Sequence, residues 1–319
     1  MDNLKKNKES TCVVTGGAGF IGSHLVDALL DKGYKVFALD NLLTGNENNL
    51  VEAQKNPKFT FINYDVSREL PVLGHIDYIY HLASPASVPD YQKYPEETAL
   101  VNTVGTRGLL KVAKAHGAKF LFTSTSEVYG DPKEHPQKET YWGNVNPNGI
   151  RACYDEAKRF GEMMTFLYVR NHGVDARVAR IFNTYGPRMR PTDGRVISNF
   201  INQALHGKPM TVYGDGVQTR SLCYISDMVS GLIALMESEK SKGEVVNLGN
   251  PEEYTMGDLA TKVKMMTGSA SEITHTDLPP DDPTKRRPDI TKAKTLLGWE
   301  PQVRLEAGLT ATIEYYKTL

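Results

Sequence analysis

The segment Gly16-Gly17-Ala18-Gly19-Phe20-Ile21-Gly22 constrains the fold of this chain more than any other. It follows a β-rich run at 11–15 and opens a helical pattern in which Ile21, Leu25, Ala28 and Leu29 share a face, with Gly33 placed to cap the C-terminus. Small residues here let the backbone turn tightly and approach a pyrophosphate, while the helix offers its unpaired N–H groups and positive dipole end to that anion. Asp40 ends the next β-run, 18 residues beyond Gly22, where a carboxylate can accept hydrogen bonds from an adenosine ribose. The same carboxylate repels a 2′-phosphate, and Asn41-Leu42 supplies no arginine to offset it, so NAD is favoured over NADP.

Further β-runs fall at 35–40, 59–65, 78–83, 120–124 and 176–182, and helical patterns at about 96–116 and 154–172. Strands alternating with helices predict an α/β fold: a Rossmann-type doubly wound parallel sheet with ligand sites at its strand carboxyl ends. After Phe182 the chain is punctuated by Gly186-Pro187, Gly207-Lys208-Pro209, Asn250-Pro251 and Leu278-Pro279-Pro280, which predicts a smaller C-terminal lobe. The expected division is a dinucleotide-binding domain over 1–182 with a return at about 215–248, and a substrate-binding lobe mainly over 183–319. On the 154–172 helix, Ala157, Phe160, Met163, Met164, Phe166 and Leu167 cover more than one core-facing stripe, so a second subunit is expected to cover the excess.

Composition excludes several classes. With 37 Lys and Arg against 38 Asp and Glu, the net charge of -1 gives no bulk attraction to nucleic acid or an anionic membrane, and neither is expected as a partner. Cys12, Cys153 and Cys223 lie far apart, with no paired spacing that would suggest a disulfide framework or a zinc site, so no metal is expected. The leading Met1-Asp2-Asn3-Leu4-Lys5-Lys6 is polar, and no run approaches the roughly 18 apolar residues of a membrane span. The expectation is a soluble, cytoplasmic protein.

Two clusters carry chemistry. In Tyr154-Asp155-Glu156-Ala157-Lys158 the tyrosine and lysine are four apart, so on a helix the ammonium shares a face with the phenol. A phenol of pKa about 10 is a poor base at neutral pH, and the cation, together with a positive nicotinamide ring, stabilises its phenolate for proton exchange with a substrate hydroxyl. Thr123-Ser124-Thr125-Ser126-Glu127-Val128-Tyr129-Gly130 follows the 120–124 run and therefore sits at the carboxyl edge of the sheet. Its hydroxyls can orient a substrate alcohol, and Glu127 can move a proton or position water; the same residues also suit a solvated loop. Asp65, ending the third run, suits the adenine amino group or a simple turn.

These residues, with several later strings, resemble the extended short-chain dehydrogenase/reductases that act on nucleotide sugars, and within that group the UDP-glucuronate decarboxylases, or UDP-xylose synthases. The strings are 81–87 (HLASPAS), 141–147 (YWGNVNP), 151–156 (RACYDE), 183–189 (NTYGPRM), 193–195 (DGR), 218–220 (QTR) and 281–283 (DDP). The resemblance runs from about Thr11 to Leu309. It implies NAD, bound tightly and regenerated each cycle, with contacts at Gly16, Gly19, Phe20, Ile21, Gly22, Asp40, Asn41, Asp65, Val66, Leu82, Ala83, Tyr154 and Lys158. It implies UDP-glucuronate as substrate and UDP-xylose as product, with substrate contacts at Ser84, Pro85, Ser126, Asn183, Arg195, Tyr213, Gln218, Arg220 and Arg286, and a homodimer.

The catalytic set implied is Tyr154, Lys158, Thr125, Glu127 and Arg286. Thr125 corresponds to the hydroxyl partner of the Tyr-Lys pair, and Glu127 to a glutamate that assists ring distortion and water-mediated protonation at C5. Arg286 corresponds to a second polar group there, and a guanidinium equally suits a diphosphate or uronate carboxylate. Related 4,6-dehydratases carry Thr-Asp-Glu where this chain has Thr125-Ser126-Glu127, and serine is a poor acid for that elimination. A UDP-uronate 4-epimerase, a 4,6-dehydratase and a non-catalytic NAD- or sugar-nucleotide-sensing protein stand as alternatives.

Overall fold

The computed structural model describes residues 10–278 and 285–319. The polar lead at 1–9 and the 281–283 string lie outside the described residues. The strands β1 (Thr11–Thr15), β2 (Lys35–Asp40), β3 (Phe59–Asn63), β4 (Tyr78–His81), β5 (Lys119–Thr125) and β6 (Ala176–Ile181) coincide with the six runs to within two residues at each end. In the lobe that follows lie β7 (Thr184–Tyr185), β8 (Met210–Tyr213), β9 (Thr219–Ser221) and β10 (Cys223–Tyr224). The chain then returns with β11 (Val245–Leu248) before β12 (Glu253–Thr255), β13 (Ile273–Thr276) and β14 (Lys285–Arg286).

Seven strands form the main sheet in the order β11-β6-β5-β4-β1-β2-β3, all parallel. The order reverses beside β1, which leaves a crevice above the carboxyl ends of β1 and β4. On the sheet lie α1 (Phe20–Asp31), α2 (Val88–Lys93), α3 (Pro95–Leu100), α4 (Thr106–His116) and α5 (Ala152–His172), with a π-helical turn Val101–Gly105 joining α3 to α4. The expected 96–116 helix is thus two helices around that turn. Farther along come α6 (Val196–Leu205), α7 (Ile225–Glu237), α8 (Met256–Thr267), α9 (Thr291–Leu297) and α10 (Leu305–Tyr316).

Both faces of the sheet are covered, as a parallel sheet requires. Leu25, Val26 and Leu29 of α1 and Met228, Leu232 and Leu235 of α7 fill one side; Leu109 and Leu110 of α4 and Phe120 and Phe122 of β5 belong to the other. The smaller lobe has its own core, in which Ile197, Phe200 and Ile201 meet Leu259, Val263, Leu309 and Ile313. Helix α5 departs from the usual amphipathic plan. Its buried residues include Tyr154, Asp155, Lys158, Gly161, Glu162 and Thr165, while Phe160 and Met163 are 38% and 44% exposed. A Cβ at Gly161 would stand 2.3 Å from Phe122 Cζ, so this glycine permits α5 to lie hard against β5 and brings its polar face to the strand.

Candidate active site

One cleft gathers the glycine turn, Tyr154, Lys158, Thr125, Ser126 and Glu127. The turn comes first. Gly16 N donates to Leu39 O at 2.7 Å and Gly19 N to Gly16 O at 3.1 Å, folding the segment between β1 and α1. A Cβ at Gly22 would meet Gly16 O at 2.0 Å, so the turn closes only on a residue without one. The N-cap Gly19 has no side chain to cap α1, and the first turn holds no acid, leaving that end electropositive toward the cleft. Asp40 is 7% exposed; its Oδ2 accepts from Ala18 N at 3.0 Å and its Oδ1 from Leu42 N at 2.8 Å. Those donors hold the carboxyl at the end of β2, although burial raises its pKa. Asp65 accepts from Ser67 N at 2.9 Å and Ser67 Oγ at 2.7 Å, so it combines a turn role with a place in the cleft wall.

The proton-handling pair lies at the carboxyl end of β5. Tyr154 is 5% exposed and its ring stacks on Tyr91, centroids 5.1 Å apart at 8°. Burial pushes its phenol up to about 12, against a hydrogen bond with Thr125 and the charge of Arg195, which favour the phenolate. Lys158 Nζ donates to Thr123 O at 2.8 Å and stands 5.7 Å from the Tyr154 ring centroid and 5.0 Å from that of Phe122. Burial lowers its pKa to about 7, and the carboxylate of Glu162 acts in the opposite direction. The polypeptide by itself therefore leaves Tyr154 protonated at neutral pH. Activation needs the further positive charge that a nicotinamide ring brings.

Glu127 is held between two guanidinium groups. Arg151 NH2 donates to Oε2 at 2.5 Å, and Arg286 NH1 donates to Oε1 at 3.0 Å and to Ser126 Oγ at 3.0 Å. Burial would raise the Glu127 pKa, but the charges of Arg286, Arg151 and Arg220 outweigh it and hold the carboxyl at about 2. Arg286, 1% exposed, reaches this point from β14, whose register places it beside Arg220 of β9. The smaller lobe thus completes an acidic site built on the larger one.

All the sequence-expected cofactor residues line the cleft: Gly16, Gly19, Phe20, Ile21, Gly22, Asp40, Asn41, Asp65, Val66, Leu82, Ala83, Tyr154 and Lys158. So do Ser84, Pro85, Ser126, Asn183 and Arg195. Tyr213 and Gln218 are not in its wall; they bond to each other, Gln218 Nε2 to Tyr213 O at 2.5 Å, and Tyr213 is 42% exposed. Arg220 and Arg286 stand behind Glu127 rather than in the wall. Sequence reasoning missed Arg151, although its place three residues before Tyr154 on one helical face was a usable signal. It also missed Tyr91, which has no local signature, and Arg188 and Arg190 of the cleft wall, which pair with Asp27 and Asp90. Among the described residues, no group of three or more His, Cys, Asp or Glu is placed to hold a metal, and no helix is long and apolar enough to cross a membrane.

The family model for GDP-mannose 4,6 dehydratase matches residues 13–312. UDP-glucuronic acid decarboxylase 1 of Xenopus tropicalis is 52% identical over 98% of this chain and 74% of its own length. UDP-glucuronic acid decarboxylase 5 of Arabidopsis thaliana is 52% identical over 96% of this chain and 89% of its own length. Among solved structures, UDP-glucuronic acid 4-epimerase of Bacillus cereus, in complex with UDP-glucuronic acid and NAD, superposes with a TM-score of 0.86 at 33% identity, covering 97% of this chain and 99% of its own. Likeness over nearly the whole length, together with a glycine turn and a Tyr-Lys pair meeting in one cleft, leads to one conclusion: the chain belongs to this dehydratase and epimerase family, and within it to the UDP-glucuronic acid decarboxylases.

Proposed function

We propose that this protein decarboxylates UDP-glucuronate to UDP-xylose with a retained NAD. The observation that carries the reading is the meeting of the glycine turn, the Tyr154–Lys158 pair and the arginine-held Glu127 in a single cleft. The cleft fits NAD. The glycine turn is a cradle that a Cβ at Gly22 would fill, the N-terminus of α1 faces an anion, and Asp40 is fixed where an adenosine ribose would meet it. When bound, the nicotinamide supplies the reversible hydride acceptor for the sugar C4.

The residues of the chain do the rest. Tyr154, as phenolate, accepts the proton of the C4 hydroxyl, with Thr125 bonded to it and the Lys158 ammonium nearby. The product of that oxidation is a β-keto acid, which loses its carboxyl group as CO2 and leaves an enolate with its oxyanion at C4. Tyr154, now protonated, donates a hydrogen bond to that oxyanion while Lys158 stabilises the charge; once C5 has gained its proton and C4 has recovered its hydride, Tyr154 returns its proton to O4 and is again a phenolate. Glu127, held ionised, acts as an acceptor that orients water for protonation at C5. Arg286, occupied by Glu127 and Ser126, holds that carboxylate in place. We assign NAD binding to 1–182 with a return at 215–248 and the sugar nucleotide mainly to 183–319.

Two observations separate this from the alternatives. The residue between Thr125 and Glu127 is Ser126, whose Oγ accepts from Arg286, so no acid stands there to expel a C6 hydroxyl. The decarboxylase relatives are 52% identical, against 33% for the uronate epimerase. We further propose a cytoplasmic homodimer. The exposed Phe160 and Met163 belong to α5, and the exposed Leu100 and Val104 to the α3 and π-turn that pack beside it; a second copy would cover these apolar side chains. The test is incubation with UDP-glucuronate, with and without added NAD, following CO2 and nucleotide sugars by NMR. CO2 with UDP-xylose, independent of added NAD, is expected; a galacturonate product without CO2 would make it an epimerase, and no turnover despite retained NAD would favour a sensor.

A further inference from the structure

Behind the Tyr154–Lys158 pair lies a buried ion pair that the reaction above does not use. Glu162, one helical turn beyond Lys158 on α5, is 8% exposed. Its Oε1 accepts from Ser124 Oγ at 2.5 Å and Arg180 Nε at 2.9 Å, and its Oε2 from Arg180 NH2 at 2.8 Å. Arg180, on β6, spends its remaining nitrogen on Tyr129 OH at 2.9 Å and Glu139 O at 3.1 Å, with its guanidinium 4.8 Å from the Tyr129 ring centroid. Tyr129 OH in turn donates to Asn247 Oδ1 of β11 at 2.8 Å. Buried ion pairs are weak contributors to stability compared with apolar residues of like volume, so their placement calls for another reason.

The reason lies in what faces Lys158. Its ammonium bonds to the Thr123 carbonyl of β5, lies over Phe122 of the same strand and Tyr154 of α5, and is otherwise desolvated. His81 of β4 is buried and neutral, its pKa lowered to about 3 by burial and by the Lys158 charge. Arg195 favours the Tyr154 phenolate, while Glu127 and Asp155 oppose it. Glu162 is the carboxylate that favours the charged form of Lys158. Ser124 holds that carboxylate next to Thr123, so the strand that accepts the ammonium bond also fixes its counter-charge.

We propose that Glu162, clamped by Arg180 and Ser124, is a positioning residue that keeps the proton on Lys158 and so keeps Tyr154 competent as a base. The proposal rests on the reading of Tyr154 and Lys158 as the proton-transfer pair. In a kcat–pH profile, the acid limb reports deprotonation of Tyr154 and the alkaline limb deprotonation of Lys158. Removing the carboxylate draws the limbs together, because Lys158 loses its proton at lower pH and Tyr154 keeps its own to higher pH.

The experiment compares the NAD-loaded wild type, Glu162→Gln and Glu162→Asp, with CO2 release followed across pH and cofactor content measured in each. In Glu162→Gln the alkaline limb is expected to move down by about one pH unit or more, with kcat at neutral pH reduced roughly tenfold and NAD content unchanged. Glu162→Asp, which retains the charge, is expected to restore most of the displacement. Alkaline limbs at the wild-type position in both variants, with activity lost only in proportion to folded protein, overturn the proposal. Should Glu162→Gln leave Arg180 uncompensated and fail to fold, the double variant Glu162→Gln/Arg180→Gln removes both charges; because loss of the Arg180 cation acts on Lys158 in the opposite sense, a smaller downward displacement is expected of it, and an upward one overturns the proposal. Full activity in Tyr154→Phe would sink the reading of the pair itself; an inactive Tyr154→Phe with an unmoved limb in the Glu162 variants sinks only the role of Glu162.

Discussion

Lys158→Met offers a quantitative test of how the site stores charge. The ordinary lysine pKa of 10.5 falls to about 7 in the folded chain because burial penalises the ammonium. The sign follows from proton counting. Between those two values the unfolded chain binds the proton that the folded chain has released, so this residue makes stability rise with pH across the interval. Below the lower value the folded protein carries a desolvated ammonium at a cost of about 5 kcal/mol, taking about 1.36 kcal/mol per pH unit. Methionine has similar length and no charge, and removes that term.

The variant without bound NAD should therefore gain on the wild type, and the gain should shrink from about 4 kcal/mol near pH 7 to about 1.5 kcal/mol near pH 9.5. Loss of the bond to the Thr123 carbonyl subtracts about 1–3 kcal/mol, but equally at both pH values. Urea unfolding of both NAD-stripped proteins at the two pH values measures the change in the difference, in which all other titrating groups cancel. A wild-type-minus-variant difference that stays constant with pH would refute the reasoning, since burial would then not have displaced the lysine.

Three further outcomes are expected. Tyr154→Phe should retain NAD, measured as cofactor released on denaturation, while CO2 release falls by roughly 100-fold or more through loss of the proton acceptor. In Gly22→Ala the new methyl would stand 2.0 Å from Gly16 O, forcing the turn open; the protein should lose its bound NAD at purification, and full retention would contradict the cradle. Met163→Glu places a charge on the exposed apolar side of α5, 44% exposed in the isolated chain, and should convert the proposed dimer to a monomer by light scattering while leaving the cofactor in place.

The parts legible in the sequence were those governed by short-range rules. The glycine turn, β1 and β2 have their bounds written in neighbouring residues, and the third run overshot only because the chain leaves the sheet after Asn63, with Tyr64 N bonded back to Asp40 O. Tyr154 and Lys158 were legible because one helical turn brings them together. Val245–Leu248 was not among the named β-runs: four residues are too short to show a period, and their place beside β6 is set by a parallel pairing more than sixty positions away. Arg286 came only from the resemblance, since its partner Glu127 is 159 residues distant. The apolar residues of α5 read as an excess for one core, and in the structure Tyr154, Lys158 and Glu162 share its buried side with apolar residues, so Met164, Phe166 and Leu167 pack only partly buried and Phe160 and Met163 stay exposed.

The late return of β11 also bears on the order in which the protein is made. As the chain leaves the ribosome, β6 is complete by Ile181, yet its partner Val245–Leu248 has not been synthesised, so for that interval one side of β6 keeps its backbone donors and acceptors unpaired. During the same interval Arg286 is absent, so Glu127 lacks the guanidinium bonds that β14 brings. A nascent chain halted before β11 would therefore display an unpaired side of β6 and an unfinished carboxylate site together, whereas the last fifty residues or so supply the guanidinium after β11 has already paired with β6. Assembly of the catalytic centre is thereby postponed until β6 has its own partner and cannot take another.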